Sequence, residues 1–126
     1  MPTSTTKRVV PKSASYSPNA ASDRSGTVFT TRDAAGAVVF TLPSPGRGYL
    51  GWEWEFHSVR DQNMTVAGTG ATDICSLNNA ACASVAASTA GQKIGAKMRA
   101  ICVETVSGTF KWAVTGISVG HTFTVA

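Results

Sequence analysis

From Thr27 to Ala126 the chain is a close series of short apolar runs punctuated by glycine, a layout that leaves little room for anything but a β-domain. The runs Thr27–Thr31, Ala37–Leu42, Met64–Ala67, Thr72–Cys75, Met98–Val106, Thr109–Thr115 and Thr122–Val125 have the length of strands, and most carry their Val, Thr and Phe content. The clearest is Gly51–Ser58, where Trp52, Trp54 and Phe56 alternate strictly with Glu53, Glu55 and His57. At a period of two, one face is aromatic and the other ionisable. Turn signals separate the runs, at Arg32 to Gly36, Pro45 to Gly48, Gly68 to Gly70, and Ser107-Gly108, the last placed for a hairpin. The alanine-rich stretch Ala80–Ala90 is harder to read. Ser84, Val85, Ser88 and Thr89 weaken a helix there, so a strand or an irregular loop is preferred. The chain therefore predicts an all-β fold, a small β-sandwich or jelly-roll-like domain over residues 27–126, with a small barrel as the alternative.

Residues 1–26 differ in character. They are rich in Ser, Thr, Ala and Pro and nearly free of large apolar side chains. Pro2, Pro11 and Pro18 oppose helix and favour extended backbone. This predicts an extended N-terminal arm, with Val9, Val10 and Tyr16 as its anchoring side chains. Lys7, Arg8, Lys12 and Arg24 against Asp23 give the arm three of the chain's four net positive charges. A basic arm of this kind suits an acidic protein surface or nucleic acid, and a solvated tail explains it as well as either. Without an RNA- or DNA-binding motif, nucleic acid ranks below the protein partner.

Only 14% of the residues are charged and 43% are hydrophobic, which argues against global disorder and for a surface partly buried against partners. No apolar run reaches the roughly 18–20 residues that span a bilayer, and no apolar signal-peptide core follows Met1, so synthesis in a cytoplasm and no membrane partner are expected. Glu53, Glu55 and His57 are the one tempting catalytic or metal-binding set, yet alternation alone explains them as the solvated or interface face of a half-buried strand. Glu53 and Glu55 are then placed to meet Arg99 or Lys111 across the sheet or a subunit boundary. The sequence carries no nucleophile elbow, zinc-protease motif or P-loop, so no enzyme and no cofactor are expected. Cys75 and Cys82 flank a polar loop and pair only if their backbones approach, whereas Cys102 reads as a buried thiol. Trp52, Trp54 and Phe56, with Phe40, Phe110 and Trp112, form either the core of the domain or an oligomer seam or sugar platform.

From about Val38 the chain resembles a small β-rich module of tailed-bacteriophage virion proteins. The likeness rests on Phe40-Thr41-Leu42-Pro43, Gly48-Tyr49, the aromatic strand ending at Phe56, Met64-Thr65-Val66-Ala67, Asp73-Ile74, Gly95, the strand around Ile101, and Trp112 before Gly116. The stretch Cys75–Ala90 departs from it. The resemblance implies a trimeric β-domain that serves as a head decoration (cement) protein on the virion and ties neighbouring capsomers with its arm, with the major capsid protein as partner and Lys7, Arg8, Lys12 and Tyr16 as capsid contacts. A small tail-fibre or spike protein that binds a receptor or carbohydrate is the alternative it carries.

Overall fold

A computed structural model describes residues 6–126; the first five residues of the expected arm, Pro2 among them, lie outside the described residues. The chain folds into two sheets with a hydrophobic core between them, so the all-β, sandwich-like domain holds. Its strands are β1 (Val9–Pro11), β2 (Val28–Thr30), β3 (Val38–Thr41), β4 (Glu53–His57), β5 (Met64–Ala67), β6 (Ile74–Ser76), β7 (Asn79–Cys82), β8 (Ser84–Ala87), β9 (Lys97–Val106), β10 (Thr109–Gly116) and β11 (Thr124–Val125). A single short 3-10 turn, Arg47–Tyr49, is the helical content among the described residues. One sheet runs β1-β2-β4-β9-β10-β6-β7 and the other β11-β8-β5-β3.

Period-two patterning decides what each strand buries. On β4, Trp54 and Phe56 are fully buried, while Glu53, Glu55 and His57 take the opposite face. Phe56 meets Phe40 of the second sheet at 4.8 Å and stacks with Phe29 at 5.6 Å. Trp54 stacks on Trp112 at 5.5 Å. Buried indoles need partners for their N–H groups. Trp54 donates to the Arg24 carbonyl and Trp112 to the Pro43 carbonyl. Trp54, Phe56 and Trp112 are thus core residues, whereas Trp52 and Phe110 are half-buried at its margin.

The alanine-rich stretch divides into two strands, β7 and β8, that belong to different sheets, with Ala83 as the crossing. β6 and β7 form a hairpin whose tip, Leu77-Asn78, has φ of 47° and 67°. Two consecutive left-handed residues match the twist of the flanking strands but suit Asn far better than Leu. The register sets Cys82 opposite Ile74 on the buried face, and Cys75, one residue on, faces the other way. All three cysteines are free thiols. The Ser107-Gly108 turn joins β9 to β10 as expected, with Gly108 at φ 82°.

Residues 6–26 lie along the domain. β1 adds to β2 in parallel at the edge of the larger sheet, with Val9 opposite Val28. The chain then crosses to the smaller sheet, where Tyr16 bridges Phe40 of the edge strand β3. There the Tyr16 amide donates to the Val39 carbonyl, the Thr41 amide donates to the Tyr16 carbonyl, and the Val39 amide donates to Ser15 Oγ. One segment therefore closes the neighbouring edges of both sheets. Val10 and Tyr16 pack against the core, but Val9 is exposed.

Candidate functional site

Two charged clusters hold the N-terminal segment in place, and they contain Lys7, Arg8, Lys12 and Tyr16 but not the Arg24 side chain. The first is centred on Asp23, which is only 3% exposed. Tyr16 donates its hydroxyl to Asp23 Oδ2 at 2.7 Å, the Asn19 amide donates to the same oxygen at 3.2 Å, and Arg8 stands 3.9 Å from Oδ1. Donating to a carboxylate holds the Tyr16 hydroxyl above its ordinary pKa, with burial and the Asp23 charge adding to the effect against Arg8. Lys12 sits over the Tyr16 ring, 3.5 Å from its centroid.

The second cluster is centred on Glu55. Pairing sets Val28 and Arg99 on either side of it, and β1 brings Lys7 above. Lys7 Nζ and Arg99 Nη2 each lie 3.2 Å from Oε1, and His57 Nε2 lies 3.3 Å from Oε2. Burial alone would raise the Glu55 pKa. The hydrogen bonds from Lys7 and Arg99, the Lys7 charge and the His57 contact outweigh it, and the carboxyl is held below its ordinary range. Burial lowers the His57 pKa, helped by Lys97 and Lys7 and opposed by Glu55. The expected pairing with Arg99 is present; Lys111 instead donates to the Thr72 carbonyl. Glu55 is covered by these partners, on the face that alternation assigns to solvent or an interface.

A carboxylate held by two cations is a poor proton acceptor, so this trio acts as a latch between β1, β4 and β9. Among the described residues no group of three or more His, Cys, Asp or Glu side chains is placed to hold a metal ion. No helix is long and apolar enough to cross a membrane. A shallow apolar concavity of about 400 Å3 lies at the β6–β7 hairpin, lined by Cys75, Leu77, Ala80 and Val114 among others.

Lys7, Arg8, Lys12 and Tyr16 are thus gathered on one edge of the sandwich, with Lys7 and Arg8 side chains still 51% and 43% exposed. Trp52, Trp54, Phe56 and Trp112 are not part of that edge. Asp23, which organises the first cluster, has no sequence signal beyond being the arm's single acid. Compared with models of known protein families and with curated protein sequences, the chain matches none.

Proposed function

We propose that this protein is a structural component of a tailed-phage virion, a head decoration protein that binds the outer shell as a trimer and ties neighbouring capsomers together. The observation that carries the reading is the basic edge. Lys7, Arg8 and Lys12 are held at fixed positions on a segment clipped across both sheets, and Lys7 and Arg8 stay half exposed. Such an edge supports attachment without the ordering entropy that a free arm would lose on binding. Three such edges on one trimer would add multivalently against an acidic shell surface of the major capsid protein. The tail-fibre or spike alternative leans on a platform of Trp52, Trp54 and Phe56, and full burial of Trp54 and Phe56, with Trp52 half-buried, weighs against it.

The test is sedimentation of the full-length protein with undecorated heads, comparing wild type with a Lys7→Glu/Arg8→Glu/Lys12→Glu variant. Co-sedimentation of the wild type at a simple ratio to the shell protein, lost in the variant, is expected. No binding by the wild type, or a variant that binds equally well, overturns the reading.

A further inference from the structure

Four strands stand at sheet edges, and three of them are guarded. β3 is covered by the segment around Tyr16. β1 has three residues, ends in Pro11, which has no N–H to donate, and is flanked by Lys7, Arg8 and Lys12. β11 has only two residues. β7, at the far end of the larger sheet, carries neither charge nor proline, and Asn79, Ala80 and Ala81 are exposed. Among the described residues no further strand pairs with it. An edge of this kind is a template for another strand. Its one irregularity is an extra residue between Asn79 and Cys82, which oppose Ser76 and Ile74; a bulge bends an edge without charging or covering it. The Ala81 amide is not spent on β6, because it donates at 3.0 Å to Asn79 Oδ1 of its own strand. That bond is exposed and local, and the carbonyl of a neighbouring strand can replace it.

Two further observations point to the same edge. Ile74 to Gln92 is the longest stretch of the chain without an Asp, Glu, Lys, Arg or His, so the charges that ordinarily protect an edge are missing throughout it. At the hairpin tip Leu77 is 60% exposed and held at a φ of 47°, where Asn or Gly would serve the turn better. An apolar side chain kept in solvent at a conformational cost marks a contact surface.

We propose that two copies of this chain pair through β7, antiparallel about a twofold axis, and so merge their larger sheets into one. The edge itself selects a second copy. A twofold lays identical strands on each other, and because both are neutral they meet without the like-charge repulsion that two β1 edges would suffer. The concavity at the hairpin is likewise lined only by uncharged residues, Leu77 and Ala80 among them. The merged sheet ends in β1 on both sides, where Pro11 and the flanking cations stop further addition, so association closes at two. The inference does not rest on the capsid reading: if the chain also forms the trimer proposed above, the trimer doubles.

The experiment is sedimentation of the full-length protein from micromolar to millimolar concentration, with amide hydrogen exchange measured at both ends of that range. The wild type should reach twice the mass of an Ala81→Lys variant, and the amide of Ala81 should gain protection as concentration rises. Ala81→Lys, at an exposed position, sets like charges along the twofold and should weaken association at least about tenfold. Leu77→Asn should also weaken association, while leaving the melting temperature in dilute solution unchanged or higher, because Asn tolerates the left-handed turn. A mass that does not change with concentration, association undiminished by Ala81→Lys, or association without protection at Ala81 would each overturn the pairing. Association unchanged in Leu77→Asn would overturn the role of Leu77.

Discussion

Tyr16→Phe tests the docking of the N-terminal segment with the least disturbance, since it removes one oxygen and keeps the ring. In the folded protein that oxygen donates at 2.7 Å to a carboxylate that is almost wholly buried. Without it, Asp23 keeps the Asn19 amide at 3.2 Å and Arg8 at 3.9 Å, neither of which replaces a short charge-assisted bond. The ring's contact with Phe29, at 5.7 Å between centroids, survives the change. A hydrogen bond to a charged group contributes about 1.5–3 kcal/mol, so a loss of about 2 kcal/mol is expected. Urea unfolding measures it, with the midpoint falling and the slope unchanged. Adding Asp23→Asn should recover part of the loss, because the stranded charge is gone. The same bond predicts a Tyr16 phenol that ionises above its ordinary value. The stabilisation is then fully present below about pH 10 and fades as pH rises through the folded-state pKa. Ultraviolet absorbance of the phenolate follows it. A stability loss below about 0.5 kcal/mol, with a tyrosine titration indistinguishable from that of free tyrosine, would refute the docked segment.

Glu55→Gln should cost about 1 kcal/mol at neutral pH, a modest figure because solvent screens the half-exposed Lys7 and Arg99. Since the Glu55 pKa is depressed, its contribution is complete above the ordinary glutamate value and disappears as pH falls through the lower folded value. Thermal melts of wild type and variant should therefore converge in acid. His57 acts in the same direction at higher pH: its lowered pKa means that stability declines as pH drops from about 6.5 towards the folded value. Phe56→Ala should lose about 3–5 kcal/mol in urea unfolding, because its ring touches Phe29 and Phe40 and is fully buried. Gly116→Ala places a methyl group 2.2 Å from the Phe123 ring and should lower stability by about 1–3 kcal/mol in calorimetry through overpacking. A thiol reagent should modify half-buried Cys75 first; Cys82 and Cys102, whose thiol pKa values burial raises, should react only as the protein unfolds.

The strands that patterning reads well are those with one buried face. Met64–Ala67 matches its sequence range, and the alternation in Gly51–Ser58 separates Trp54 and Phe56 from Glu55 as the structure does. The break in composition near Gly26 is equally visible, but the docking of the segment before it is not. β1 has three residues, ends in a proline and is mostly exposed, so it has no period to detect. The place of the whole segment is decided by contacts with Glu55, Thr30 and Val39, far along the chain. The candidate site is partly legible for the same reason. Lys7, Arg8, Lys12 and Tyr16 stand out by charge and type, whereas Asp23 matters through what surrounds it. Ala80–Ala90 was ambiguous because alanine fits a helix or a strand, and here the pairing partners β6 and β5 decide.

The order in which the chain visits its two sheets has a kinetic consequence. β2 lies in the larger sheet, β3 in the smaller, β4 in the larger and β5 in the smaller again, so β2–β4 and β3–β5 are parallel pairs closed only after an excursion through the other sheet. Hairpins between successive strands are confined to β6–β7 and β9–β10. Pairing of this kind pays the entropy of long loops before any contact rewards it, which slows folding and leaves few stable fragments. The β9–β10 hairpin, long and local, is the natural place for the first structure to form. The parallel edges, β1 included, then close last, and protection of their amides from hydrogen exchange should appear late in refolding.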